Sequence, residues 1–406
     1  MNLDRRTLIA GAAAGTLITG RARAQKPTIR IGVMNDQSGV YRDDTGMTGV
    51  ICARQAVEEF ASQMPDATID VVFADHQNKA DIGASIAREW FDRGGVDVIV
   101  DVPTSSVALA VNTICREKNK VFLNSGAATT DLTGAQCSPN TVHWTYDTYM
   151  LARSTGGATV RAGGDSWYFI TANYVFGQQL QRDTAKLVEA SGGKVLGASV
   201  YPFPETSDFS APLLQAQASG AKVLGLANSG ADTINCIKQA HEFGLTKTMK
   251  IASMLLYASN IHGVGLEMGQ GLIATESFYW DLNDRTRAFM NRIKPKTPKQ
   301  WPNMIQAGNY GAVTHYLKAV KSLGAASAAD GRAVVARMKA MPTDDDCFGP
   351  GTIRADGRKL HPAYLLQAKT PAESKHEWDL MKVIATTPGD QAFRPEAEGG
   401  CVMPKA

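Results

Sequence analysis

Several kinds of chemistry have no foothold in this sequence. No two cysteines stand as C-x-x-C, so zinc-ribbon and thioredoxin-like sites fail at the first step. There is no G-x-x-x-x-G-K-[ST] phosphate loop and no G-x-S-x-G nucleophile elbow. The first apolar run leads into Asn35-Asp36-Gln37-Ser38-Gly39, which lacks the glycine spacing that lets a backbone approach a dinucleotide pyrophosphate. Gly263–Gly271 is glycine-rich with the wrong spacing, and it reads as a loop. The histidines at 76, 143, 241, 262, 315, 361 and 376 are scattered, none in H-E-x-x-H spacing. The expectation is no cofactor, no metal and no catalytic residue. Past the N-terminus no apolar run approaches the ~20 residues of a membrane span. Net charge is missing too. Residues 1–24 carry four Arg and one Asp, and without them 38 basic and 38 acidic side chains remain. Such a chain has no bulk field for nucleic acid or anionic lipid.

What is present begins with an export signal. Arg5-Arg6 precedes the short apolar stretch Leu8–Ile18, and Ala22-Arg23-Ala24 supplies a small-x-small cleavage site before Gln25. The arginine pair points to the twin-arginine route, with the general export route as the alternative. The expected location is the periplasm. Six cysteines in an exported chain permit disulfides. Cys115 and Cys137 flank the apolar run Val121–Asn124, and Cys401 could tether the tail to Cys347. Cys52 and Cys236 lie in apolar helical patterns and read as buried thiols.

From Thr28 the chain alternates strand and helix. Ile29–Met34, Ile69–Phe73, Val96–Val102 and Val121–Asn124 read as strands, with helical periods at Thr48–Phe60, Ala80–Phe91 and Val107–Glu117. After a break around Thr141–Thr148 the rhythm restarts at Trp167–Thr171 and runs to Met249–Ser253. Strands joined by helical crossovers predict parallel sheets covered on both faces. The fold class is therefore α/β, with two doubly wound parallel-sheet lobes. Further on, Asp284–Ile293, Ile305–Leu323 and 331–340 read as helices, Gly351–Gln367 as a hairpin about Asp356-Gly357, and Trp378–Ile384 as a strand.

In open parallel sheets, ligands sit beyond the carboxyl ends of the strands. Those ends here carry Gln37-Ser38-Gly39-Val40-Tyr41, Pro103-Thr104-Ser105-Ser106 and Ser125-Gly126-Ala127-Ala128-Thr129-Thr130. Hydroxyls and free N–H groups at helix starts can hold a carboxylate without arginine, although Ser105 and Thr129 can equally be plain helix caps.

These residues, with Tyr174-x-Phe176-Gly177 and the Ile353–Gly357 and Pro388-Gly389-Asp390 segments, resemble the periplasmic leucine/isoleucine/valine-binding proteins of ABC transporters. The likeness covers essentially the whole chain after the signal. It implies a type I periplasmic-binding fold joined by a three-segment hinge, with crossings near Tyr146, Thr275 and Thr343. The lobes would then be 25–145 plus 276–343 and 146–275 plus 344–406. It also implies ligand contacts from Ser105, Ala127 and Thr129, with aromatic walls from Tyr41, Tyr146, Tyr149, Tyr174 and Phe176. Amino-acid binders of the family place an acid after the last parallel strand of the second lobe. Here that stretch is the apolar Met254-Leu255-Leu256-Tyr257, and Asp232 is the only substitute in view. The expected ligand is a small organic carboxylate, aromatic or branched-chain, with no required α-ammonium. The expected partner is an ABC transporter permease, and the expected state a monomer. A ligand-sensing receptor of the same fold and an exported α/β hydrolase remain the alternatives.

Overall fold

The computed structural model describes residues 26–403, so the export signal and its cleavage site at Gln25 lie outside the described residues. The first half of the architecture is β1 (Thr28–Asn35), α1 (Gly46–Phe60), β2 (Thr68–Asp75), α2 (Ala80–Asp92), β3 (Val98–Asp101), α3 (Ser105–Glu117), β4 (Val121–Asn124) and β5 (Thr141–His143). These strands form one sheet in the order β2-β1-β3-β4-β5, every pair parallel. β3 and β4 are buried along their whole length, as expected of strands covered by helices on both faces. β2, at the edge, is only half-buried.

The second unit follows through α4 (Thr148–Leu151), a π-helical turn at Ala152–Gly156, and α5 (Gly157–Arg161). It contains β6 (Ser166–Ala172), α6 (Val175–Ala190), β7 (Lys194–Tyr201), α7 (Ser210–Ala218), β8 (Val223–Ala227), α8 (Gly230–Glu242) and β9 (Lys250–Ser253). Its sheet is again parallel, in the order β7-β6-β8-β9. Each sheet therefore has a switch point, beside β1 in one and beside β6 in the other, where successive loops diverge and open a crevice.

The chain continues through α9 (Ala258–Val264), α10 (Leu266–Gly269), β10 (Ile273–Glu276), α11 (Asp284–Ile293), α12 (Met304–Leu323) and α13 (Gly331–Ala340). Gly263–Gly271, read from sequence as a loop, is thus largely two short helices broken at Gly265. α12 packs on the first unit. Its start is fixed by Asn303, whose Oδ1 accepts from the N–H groups of Ile305 and Gln306 at 2.9 and 3.3 Å. The same cap reaches sideways: Asn303 Nδ2 donates to the Asp44 carbonyl at 3.0 Å and Gln306 Nε2 to that of Thr45 at 3.1 Å. A helix cap from residue 303 therefore holds the loop after β1.

The tail comprises β11 (Thr343–Asp345), β12 (Gly349–Ile353), β13 (Lys359–Leu360), β14 (Ala363–Ala368), β15 (Met381–Thr387) and α14 (Gly389–Ala392). β12 and β13 form the expected hairpin about Asp356-Gly357, where Gly357 has φ +90°. β11 pairs with β12, and the short sheet lies against α12 and α13. β14 pairs with β10 and β15, and its buried face joins the apolar cluster of Ile170, Leu224 and Leu256. Between the units, Arg358 is fully buried. It pairs with Asp147 at 3.4 Å, donates to the carbonyls of Thr145 and Lys359, and lies 4.3 Å from the Phe393 ring centroid.

The last described residues return to the first unit, where Cys401 is disulfide-bonded to Cys137, 264 residues away. Both pairings suggested by the sequence are thereby corrected. Neighbourhood along the chain put Cys115 beside Cys137 and Cys347 beside Cys401. In the fold, Cys115 faces the core and Cys347 lies buried beside Asp345, both as free thiols. Cys52 and Cys236 are buried thiols as expected.

Candidate functional site

The two switch points face one another across a narrow, partly open cavity with about 10 Å3 of free volume. The loop after β1 contributes Tyr41, Asp44 and Thr45, and the loop after β3 contributes Pro103. From the second unit come Tyr174 and Phe176 after β6, Ser229 after β8, and Leu255 and Tyr257 after β9. Tyr146, on the connection between units, and Ile305, at the start of α12, complete the lining. None of these is Lys, Arg or His. That space holds about one water molecule, so a molecule of amino-acid or benzoate dimensions enters only when the walls part.

Local geometry explains why these side chains converge. The Asp36 carboxylate accepts from the N–H groups of Ser38, Gly39 and Tyr41 at 3.2, 2.6 and 2.8 Å, and from Asn78 Nδ2 at 2.6 Å. That knot curls the loop and turns the Tyr41 ring toward the other unit. There its hydroxyl meets that of Tyr174 at 2.6 Å, and Phe203 stacks on both rings, with centroids 5.4 and 4.4 Å apart. Tyr257 donates to the Tyr146 hydroxyl at 3.1 Å, and Tyr146 donates to the Gly126 carbonyl at 2.6 Å.

Contacts along the seam hold the units together. Asp44 Oδ1 accepts from Asn260 Nδ2 at 2.8 Å and Ser259 Oγ at 3.2 Å, both on α9. Gln179 Nε2 donates to Asp131 at 2.8 Å. The Ala231 N–H donates to the Val40 carbonyl at 3.1 Å, a main-chain bond from one unit to the other. Beside it Gly230 has φ +63°, and a Cβ there would lie 2.4 Å from that carbonyl oxygen.

Of the site residues expected from sequence, Tyr41, Tyr146, Tyr174 and Phe176 line the cavity. Ser105 opens α3 two residues beyond Pro103, buried, its hydroxyl without a partner among the described residues. Ala127 is tied up with Asn124, its N–H donating to Oδ1 at 3.0 Å and its carbonyl accepting from Nδ2 at 2.7 Å. Thr129 Oγ1 accepts the Asp131 N–H at 3.2 Å and so caps a short turn. Tyr149 faces outward over Arg153. Asp232 accepts from the Tyr201 hydroxyl at 2.7 Å and does not border the cavity. Sequence reasoning missed Asp44, Thr45, Ser229 and Ile305, and it used Leu255 and Tyr257 only as an argument for apolarity. That stretch is indeed apolar, and an acid, Asp44, borders the cavity from the opposite side. Among the described residues no group of three or more His, Cys, Asp or Glu is placed to hold a metal.

Several carboxylates in and around the site are held above their usual range, mainly by burial. Asp44, Asp101 and Asp232 are pushed up to about 7, and Glu276 to about 8. A folded-state acid with a raised pKa keeps protons that the unfolded chain has released. Its contribution to stability is full below the unfolded pKa and is lost as pH rises through the folded one. His76 and His315, pushed down to about 4, oppose this below pH ~6.5, and Lys359, pushed down to about 8, opposes it above. Between about pH 6.5 and 8 the carboxylates dominate, each still-protonated group contributing on the order of 1.4 kcal/mol per pH unit. The ligand-free protein is expected to melt at a lower temperature at pH 8 than at pH 6.5. A flat or rising profile in calorimetry would refute the burial of these acids.

Comparison with known proteins extends the picture. The profile of a family described as periplasmic binding protein matches residues 28–375. A crystal structure of a periplasmic binding protein from Burkholderia mallei is 47% identical, with TM-score 0.88 over 92% of this chain and 98% of that one. A branched-chain amino acid ABC transporter periplasmic ligand-binding protein from Burkholderia xenovorans is 37% identical, with TM-score 0.80 over 92% and 99%. A solute-binding protein of an ABC transporter from R. palustris, solved with benzoate, shares the fold at 19% identity and TM-score 0.81, over 92% and 99%. No curated protein matches the chain.

Proposed function

Since the chain belongs to the periplasmic binding protein family, as a solute-binding protein of an ABC transporter, we propose that it captures one small organic carboxylate with an aromatic or branched-chain body, amino acids included. The observation that carries this reading is the narrow cleft between two switch points, walled by Tyr41, Tyr146, Tyr174, Phe176 and Tyr257. Flat and branched apolar bodies fit such walls. The carboxylate end is assigned to the starts of α3 and α8, each 13 residues long. Buried Ser105 and Ser229 hydroxyls there lack partners among the described residues, and helix N-termini favour anions. Ala127, Thr129, Tyr149 and Asp232 are not needed in this reading.

The lobes are taken to be 25–145 plus 276–343 and 146–275 plus 344–406, with one refinement. The packing of β11–β13 against α12 and α13 favours placing the last limit near Leu360. Binding closes the lobes, a shift of a two-state equilibrium by contacts that exist only in the closed form. A permease then receives the ligand. Export by the twin-arginine signal, and a monomeric state, belong to the same proposal.

The test is a thermal-shift panel of benzoate, phenylpyruvate, ketoleucine, phenylalanine and leucine against their carboxamides. A ligand at 100 times its dissociation constant stabilises the fold by about 2.7 kcal/mol. At least one acid should raise the melting temperature, shrink the radius of gyration in solution scattering, and outperform its carboxamide. Equal binding of acid and carboxamide would refute the carboxylate reading.

A further inference from the structure

A second cavity, of about 190 Å3, opens where β14, β15 and α14 of the tail pack on the helical stretch Thr148–Arg161. None of its lining residues borders the cleft. Its floor is apolar and includes Met150, Ala363 and Leu365, all buried. Its charged groups are two guanidiniums, those of Arg153 and Arg161, and no Asp or Glu lines it. Neither arginine forms an ion pair among the described residues. Arg153 donates to the Tyr149 hydroxyl at 3.2 Å, a neutral partner that leaves its charge unmatched. The two arginines share a wall because of the π turn. Thr148–Arg161 is one continuous helix whose middle turn, Ala152–Gly156, is π-helical. In an unbroken α-helix, residues eight apart point about 80° apart around the axis. A π turn takes up one extra residue, which reduces that angle to about 20° and sets both side chains on one face. Such turns are rare and recur at functional sites. This one is held by Thr155, whose hydroxyl lies 2.7 Å from that of Thr275 on β10.

We propose that this pocket is a second binding site, for a small phosphate monoester with a short apolar body. Two convergent guanidiniums match the two negative charges of such a group, and their planar forks take its oxygens in pairs. The hydroxyls of Ser154 and Thr387, also on the wall, add neutral donors. An apolar cavity of ~150 Å3 accepts a benzene ring, so the floor has room for a body of that size and none for a long acyl chain. The small volume therefore favours a soluble ester over the phosphate head group of a lipid. The cleft has no Lys, Arg or His in its lining, so a dianion finds here the counter-charge it lacks there. The site stands independently of what the cleft binds.

The experiment is calorimetry with phenyl phosphate and inorganic phosphate at about 0.15 M salt, where diffuse surface attraction is screened. Phenyl phosphate should bind the wild type at one site, tenfold or more tightly than inorganic phosphate. Arg153→Gln and Arg161→Gln, both at exposed positions, should each weaken it tenfold or more. Ala385→Trp keeps both arginines and fills the pocket from an exposed position on its wall, and it should abolish binding. Unchanged affinity in Ala385→Trp, or equal affinity for the two phosphates, would mean attraction to surface charge alone and would overturn the inference. So would a wild type that does not bind phenyl phosphate. Co-sedimentation with phosphatidic acid vesicles separates the two sources of the head group. Vesicle binding that needs both arginines, in a protein that ignores phenyl phosphate, would overturn the soluble-ester proposal in favour of a lipid. Cleft-ligand binding should be the same in both arginine variants and the wild type, so failure at this pocket leaves the reading of the cleft standing.

Discussion

Gly230→Ala is expected to weaken ligand binding by about 100-fold or more while the separate lobes still fold. Two effects combine at this one position. With φ +63°, residue 230 sits in left-handed space, where a side chain costs roughly 1–2 kcal/mol. The added Cβ would also lie 2.4 Å from the Val40 carbonyl oxygen and 2.8 Å from Tyr41 Cδ1, both on the opposite lobe. The second penalty exists only when the lobes are closed. It therefore acts on the open–closed equilibrium, and a closed state disfavoured by about 2.8 kcal/mol lowers apparent affinity 100-fold. The same contact would break the Ala231 N–H bond to Val40 by pushing the loops apart. Calorimetry with the tightest-binding probe gives the affinity, and solution scattering shows whether the variant stays extended at saturating wild-type concentrations. Wild-type affinity in this variant would mean that the lobes do not meet at Gly230 in the bound state.

Arg358→Ala is expected to destabilise the protein by about 3–5 kcal/mol, the cost of stranding a buried charge. Asp147 is 2% exposed, burial already raises its pKa, and Arg358 is the charged group paired with it. The guanidinium also satisfies the Thr145 and Lys359 carbonyls, so its loss leaves main-chain acceptors dry as well. Chemical denaturation measures the loss directly. Adding Asp147→Asn to Arg358→Ala should recover part of it by removing the stranded charge, and a purely additive double variant would refute the ion-pair account.

Much of the fold could be read from the sequence because its signal is local. Buried parallel strands such as β3 and β4 are short, continuous apolar runs, and the helices between them keep a 3.6 period. β5, inside the apparent break at 141–148, and β10 at 273–276 escaped, since neither is a continuous apolar run. The site was legible in part for a geometric reason. Tyr41, Tyr174 and Phe176 follow strand ends, and strand ends of parallel sheets open on crevices. Asp44 was illegible: in Arg42-Asp43-Asp44 it reads as a solvated turn. Ser259, Asn260 and Asn303, more than 200 residues away, orient it. Tyr149 lies off the cavity for a helical reason. One residue's rotation on α4 turns it outward over Arg153 while Met150 points in.

The bond between Cys137 and Cys401 closes the polypeptide into a ring that contains every passage from one lobe to the other. A linear two-lobed chain cut once in an exposed loop can come apart into fragments. A ring cannot: a single nick anywhere between residues 138 and 400 only linearises it, leaving one covalent molecule with both lobes attached. A protein working among extracytoplasmic proteases therefore tolerates a first cleavage without losing a fragment, and only a second cut, or reduction of the bond, releases one.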